Sequence, residues 1–248
     1  MKYLLLLILI FSALLAEEKK EKITIGFGPY IQTQAYKDVA PIVVPSPVVF
    51  FDNGLVYVRW TRVGIYFLGE KNEDYSWGFS LTAQPQPYNY KASDSDALEA
   101  MQDKESSFEA GLAFSIQADK TYFEIMALND ILGRYNSWII KSELGYEFKL
   151  GDFSFYPSAV LLYQSSQFVN YYYGVTQSEA TPFRAEYHAG NALQLGAQTY
   201  IEYPLSKKLS AFFNIRVDKL PQEITESPIV NDDYIYSGLA SLIYTFEY

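Results

Sequence analysis

His188 is the only histidine in the chain, and Ser178 and Glu179 stand a short way before it. Acyl transfer needs a nucleophile, a base and an orienting acid that converge in space. Nothing in this spacing forces convergence, and a lone loop histidine is usually solvated, so no catalytic residue is assigned. Acids are plentiful, but no spacing selects an acid/base pair for glycan cleavage, which leaves a hydrolase a distant third choice of function. Cysteine is absent, and neither GxGxxG nor GxxxxGK[ST] occurs. Asp94 and Asp96 are too nonspecific to define a divalent-cation site. Neither a metal nor a cofactor is expected.

A second group of charged residues has a pattern that means more. Lys141, Glu143 and Glu147 alternate with Ile140, Ser142, Leu144, Tyr146 and Phe148. Glu109, Glu202, Arg216 and Asp218 stand in the same way on the polar face of otherwise apolar segments. Side chains at alternate positions of a strand point to opposite faces. These seven residues therefore share a wet face whose opposite face is apolar, as in a strand between a lumen and lipid.

The elements that must position them repeat along the chain. Ile23, Ile25, Phe27, Pro29 and Ile31 alternate with Thr24, Gly26, Gly28, Tyr30 and Gln32, and Tyr75 to Gln84 does likewise. Further alternating segments run over Phe108–Gln117, Thr121–Leu128, Phe153–Tyr163, Leu193–Tyr203 and Leu209–Asp218. The last, Tyr236–Tyr248, puts Tyr244, Phe246 and Tyr248 on one face as an aromatic girdle for the periplasmic rim. Tight turns are read at Asp52-Asn53-Gly54, Asp119-Lys120, Gly151-Asp152 and Pro204 to Lys207. Ile42–Phe51 is a further strand, weakened by Pro45 and Pro47. A long polar loop follows Gln86, with a helical turn expected around Ala97 to Met101, and the longest loop spans about Gln164 to Gly190.

Strands of about 11 residues at roughly 3.3 Å per residue, tilted near 45°, cover roughly 26 Å of hydrocarbon. With short turns periplasmic, long loops extracellular and both termini periplasmic, the strand count must be even. Splitting Leu55–Leu68 near Thr61-Arg62 gives twelve strands. Keeping it whole and moving Ile42–Phe51 into a loop gives ten. The expected fold is an all-β transmembrane antiparallel up-and-down barrel of about twelve strands, with ten as the alternative. Its lumen would be wider than an eight-stranded barrel's but narrower than a porin's. Paired interior charges and a narrow solute passage both remain open as uses of that lumen.

Composition fits this reading. The chain is 49% hydrophobic and 17% aromatic, with 23 Tyr and 17 Phe. Met1 to Ala16 has Lys2, an apolar run and a small residue before Glu17, which reads as a secretory signal. Residues 17–22 form a short periplasmic tail, and 23–248 form the barrel. The net charge of −10, one unit more negative once Lys2 leaves with the signal, argues against nucleic acid as a partner. Outer-membrane lipid is the expected surrounding.

The long loop carries Tyr171, Tyr172, Tyr173, Gly174 and Val175, then Ser178, Glu179 and, further on, Tyr187. Tyr36-Lys37-Asp38 precedes Pro45-Ser46-Pro47, and Ser227-Pro228-Ile229-Val230 leads into the terminal strand. In this order the segments resemble the MipA/OmpV family of outer-membrane proteins. Thr176 stands where that family usually has Ser, and Glu247-Tyr248 runs past its common Tyr-x-Phe ending. The resemblance implies a cell-envelope interaction protein that brings a murein hydrolase together with a murein synthase. The alternative is a narrow channel for solutes or antibiotics. The tyrosine run has two readings, a cap folded over the mouth or an exposed adhesive surface.

Overall fold

The structure, a computed structural model, describes residues 22–72 and 75–247. The expected signal segment, the tail before Lys22 and Tyr248 lie outside the described residues. Alternation becomes twelve barrel strands: β1 Lys22–Gln32, β2 Ile42–Asp52, β3 Val56–Arg59, β4 Arg62–Lys71, β5 Tyr75–Gln86, β6 Ser107–Ala118, β7 Thr121–Asp130, β8 Trp138–Tyr146, β9 Phe153–Gln164, β10 Ala192–Pro204, β11 Leu209–Lys219 and β12 Tyr234–Glu247. β8 continues as Phe148–Leu150 after Glu147, whose N–H donates to Lys120 O at 2.7 Å.

Each strand pairs antiparallel with the next, and β12 pairs with β1 from Lys22↔Glu247 to Gln32↔Ser237, closing the barrel. Closure matters in lipid, where an unpaired backbone group finds no water to bond. Twelve strands, not ten, close the wall. Leu55–Leu68 divides at Trp60-Thr61, and the proline-bearing segment is a full strand. Pro45 and Pro47 are tolerated because both nitrogens point away from β1, so no ladder bond to it is lost.

The wall is uneven on that side. Among the described residues, β2 has a second strand partner only at Phe50–Asp52, against Tyr57–Arg59 of the short β3. The β4–β5 ladder likewise begins at Val63↔Ala83, leaving Gln84, Pro85 and Gln86 paired with β6 alone.

Outward faces carry the exposed apolar side chains Ile25, Phe27, Leu81, Leu112, Leu144, Ile215 and Leu242. Phe27 is 63% exposed, tolerable only where lipid replaces water. Tyr244 and Phe246 pack 4.7 Å apart at the periplasmic end of β12, and Phe148 stacks on Phe155 nearby in the girdle.

The largest hydrophobic core is not in the wall. It joins Ala35, Tyr36, Tyr90, Leu98, Met101, Tyr135, Phe168, Val169, Tyr172, Tyr173, Val175, Leu220, Ile224, Ile229 and Val230 with the strand tops Leu128, Ile139, Leu162 and Ile235. All five long loops thus fold into one cap over the extracellular mouth. Within it the expected turn near Ala97 to Met101 is instead two 3-10 turns, Ala92–Asp94 and Asp96–Leu98. The longest loop contains a helix, α1, Ser166–Tyr173, where the sequence reading had only loop. Ser165 caps α1 by accepting the Phe168 N–H, and α2, Gln222–Thr225, lies in the last loop.

Candidate functional site

Beneath the cap lies a cavity of about 780 Å³. Its lining runs from Tyr88 and Gln86 near the cap to Lys22, Asp52, Lys120, Glu147 and Glu202 at the periplasmic strand ends. Six of the seven charged residues assigned to the wet face line it, namely Lys141, Glu143, Glu147, Glu202, Arg216 and Asp218. The seventh, Glu109, is fully buried higher up. There Tyr135 Oη donates to it at 2.6 Å and the Gln84 and Gln86 amides at 3.1 and 3.3 Å. A carboxylate under an apolar lid needs such donors, since burying it unpaired is costly.

The mid-lumen charges are held by neighbours on the wall. Arg216 grips Asp218 two positions along β11, with Nε–Oδ2 2.6 Å and Nη2–Oδ1 2.7 Å. Glu143 accepts from Ser158 Oγ at 2.8 Å and Gln198 Nε2 at 2.7 Å, with Lys141 Nζ 3.9 Å from its other oxygen. Across the lumen, Arg59 and Arg62 of the β3–β4 hairpin both bind the Glu124 carboxylate of β7. Arg59 also reaches Tyr66 Oη at 2.6 Å and lies 4.5 Å over the Tyr57 ring.

Arg59, Arg62 and Glu124 were not picked out from the sequence. The available signal was Glu124 sharing one face of β7 with Tyr122, Met126 and Leu128, a lone carboxylate on a face whose partners lie elsewhere in the chain.

Tyr30, Tyr200 and Phe212, which alternation puts on the inward face, join Trp60 and Phe50 in an aromatic track along the lumen wall. Trp60 meets Tyr30 edge-on at 5.6 Å, Phe50 meets Phe212 at 5.3 Å, and Phe212 stacks on Tyr200 at 5.8 Å. Val48, Leu239 and Ile243 pack with these rings.

The motif residues gather in the cap. Tyr172 and Tyr173 on α1 are buried, and Tyr171 is half-buried. Of the two readings of the tyrosine run, the packed cap is the one the structure adopts. Gly174 N–H closes α1 onto Asn170 O at 3.0 Å, and Val175 and Tyr187 form a two-residue bridge. Ser227 Oγ donates to Tyr173 O at 2.6 Å, and Pro228 O accepts Lys37 Nζ at 2.7 Å. Ser178 stands exposed, in contact with Thr176 Oγ1 at 3.1 Å.

Glu179 stitches two loops together, accepting the Gln102 N–H at 2.9 Å, the Thr176 N–H at 3.0 Å and Thr176 Oγ1 at 2.7 Å. Burial works against its charge, but these donors, with Lys104 nearby, outweigh it and hold its pKa below the usual glutamate range. Burial drives the Tyr36 and Tyr173 phenols well above their ordinary range, so they stay neutral. His188 pairs with Glu186 at 3.0 Å on the surface, whereas Ser178 and Glu179 both bond to Thr176, so the three do not form a triad. Asp94 accepts the Lys91 N–H at 2.8 Å. Among the described residues no group of three or more His, Cys, Asp or Glu is placed to hold a metal ion.

The family model described as MltA-interacting protein MipA matches residues 25–246. The outer membrane protein YiaT of Escherichia coli (strain K12) is 25% identical over 236 residues, 94% of each chain. The MltA-interacting protein of the same strain is 24% identical, covering 100% of this chain and 99% of its own. The outer membrane protein OmpV of Vibrio cholerae is 27% identical over 73% of this chain and 69% of its own. Among solved structures, Neisserial surface protein A covers 92% of this chain and 97% of its own, with TM-score 0.31 and 11% identity. OprD from Pseudomonas aeruginosa covers 92% and 93%, with TM-score 0.35 and 8% identity.

Proposed function

The chain belongs to the MltA-interacting protein MipA family, and from that premise we propose a non-enzymatic outer-membrane barrel that acts as an interaction protein for murein-cleaving and murein-building enzymes. The name of the E. coli relative, aligned over essentially its whole length, supports this reading. The observation that carries it is the polarity of the barrel. The cap packs over the extracellular mouth, while the accessible end of the lumen faces the periplasm. Charged side chains rim that end, among them Asp52, Lys120, Glu147 and Glu202, with Lys22 paired to Glu247 at 3.0 Å. A partner drawn from the murein layer meets this face first. The test is co-purification of murein hydrolases and synthases with the full chain from native membranes. No enrichment over an unrelated barrel sinks the proposal.

A second reading is a narrow passage for solutes or antibiotics, favoured by the 780 Å³ cavity with its internally paired charges. Planar-bilayer recording separates the two, since steady single-channel conductance by the capped wild-type barrel supports the passage and not the scaffold alone.

A further inference from the structure

The short β3–β4 hairpin leaves the barrel wall incomplete above its tip. Trp60 and Thr61 turn the chain partway up the wall, so over Ile42–Val48 β2 pairs with β1 alone, and over Gln84–Gln86 β5 pairs with β6 alone. Trp60 N–H donates to Val49 O at 2.8 Å, which marks the end of β2's second ladder. Above that point two strand edges face each other with no strand between them.

Three prolines blunt those edges. A proline fits an antiparallel ladder only where its missing N–H would have pointed away from the partner. Pro45 and Pro47 lie opposite Pro29 and Phe27 of β1, so both nitrogens turn to the other side, the side on which Val49 O meets Trp60. Pro85 lies opposite Phe108 of β6, so its nitrogen turns away from β6 toward the same slot. An incoming peptide strand needs donors at these positions and finds none, so the slot is unsuited to strand addition. The same absence lowers the cost of leaving these edges unpaired beside lipid.

The slot opens onto the lumen cavity, whose lining includes Trp60, Gln84, Pro85, Gln86, Pro87 and Tyr88. Val44 shares the inward face of Ser46 and Val48, yet is 43% exposed where those two are buried. Outside, Val43, Pro45 and Pro47 are exposed and apolar. Inside, Trp60 and Tyr30 begin the aromatic track that continues to Phe50, Phe212 and Tyr200. The mid-lumen charges beside the track hold one another and the Gln84 and Gln86 amides are taken up by Glu109, so the surface left for a ligand beside the slot is mainly rings and aliphatic groups.

We propose that the slot between β2 and β5 is a lateral portal through which neutral, mostly apolar small molecules move between the outer leaflet and the lumen, bypassing the capped mouth. This goes beyond the scaffold reading and does not depend on it.

The test uses the full chain in nanodiscs. With Trp77→Phe and Trp138→Phe, the remaining Trp60 reports on the slot. Brominated acyl chains are expected to quench Trp60 although its ring faces the lumen, and an unquenched Trp60 overturns the portal. N-phenyl-1-naphthylamine supplied in the lipid is expected to reach the lumen and accept energy from Trp60. Val44→Phe, which fills the slot from inside without adding a second indole, is expected to abolish that transfer, while Val43→Phe on the lipid face of the same strand leaves it intact. Equal transfer in both variants overturns the proposal, as does protection of the Val43 amide, the one N–H of Val43–Val48 that faces the slot, by a bound peptide strand. Murein-enzyme capture by Val44→Phe is read separately, and its outcome bears only on the scaffold.

Discussion

Arg59 of β3 and Glu124 of β7 meet across the lumen, Nη1 to Oε2 at 3.0 Å, and so tie the shortest hairpin of the barrel to the far wall. Arg62 binds the other oxygen of the same carboxylate. The Glu124 side chain is 3% exposed, so removing it strands two cations in the lumen. Glu124→Ala is expected to destabilise the barrel by about 2–4 kcal/mol, somewhat below a fully buried pair because Arg59 stays partly wet. Urea unfolding in detergent measures this. Arg62→Met on the Glu124→Ala background should recover part of the loss, and no recovery would count against the ion triad.

Acid should loosen the cap through Glu179. Its folded pKa lies below the unfolded value, so its contribution is fully present above the ordinary glutamate pKa of about 4.3 and is lost as pH falls through the folded value. Limited proteolysis of the loop from residue 165 to 191 should therefore accelerate as pH drops below that range. Glu179→Gln should already be loose at neutral pH and show a flatter profile. An unchanged acid sensitivity in that variant assigns the effect to another group.

Tyr172 is fully buried among Phe168, Tyr135 and Tyr88, at ring distances of 5.0, 6.1 and 5.9 Å. Tyr172→Ala should cost the cap about 3 kcal/mol, the scale of deleting a buried ring. Planar-bilayer conductance should rise as the mouth opens. A variant that remains as closed as wild type shows that the seal lies elsewhere.

Gly28 sits where β1 crosses β12, and a Cβ there would lie 1.8 Å from Ala240 O. Backbone must move to admit it, at the place where the β1–β12 ladder is interrupted between Phe27↔Leu242 and Tyr30↔Leu239 without a change of register. Gly28→Ala should destabilise closure by about 1–3 kcal/mol, the cost of overpacking. Faster urea unfolding and weaker heat-modifiability on gels are the expected readouts.

Trp60 holds φ at 58°, a left-handed conformation that usually falls to glycine in a two-residue hairpin turn. Its indole N–H donates to Ser46 Oγ at 3.0 Å and its ring packs on Tyr30, contacts that keep the strained turn in place. Trp60→Gly should leave overall stability within about 1 kcal/mol, since relief of strain offsets the lost ring contacts. It should also shift the β2 amides Ser46 and Val48 to faster hydrogen exchange. A loss much larger than this would show that the ring contacts outweigh the strain.

Much of the barrel was legible because alternation is local. Ile25, Phe27 and Leu144 on one face and Lys141, Glu143 and Arg216 on the other follow from the two-residue repeat alone. Tyrosine crowding in the long loop marked a packing site, but not the helix that organises it. α1 depends on the Ser165 cap and on burial of Phe168 and Tyr172 against loops far away in sequence.

Sequence by itself determined the class, the outward face and an even strand count, since each rests on period, turn chemistry and the demand that lipid leaves no backbone edge exposed. Tertiary structure alone decided that Glu124 answers Arg59 and Arg62, that five loops share one core, and that β2 and β5 face an open slot. Those relations join residues many strands apart, and a pattern of period two records only which face a side chain takes, never what stands opposite it.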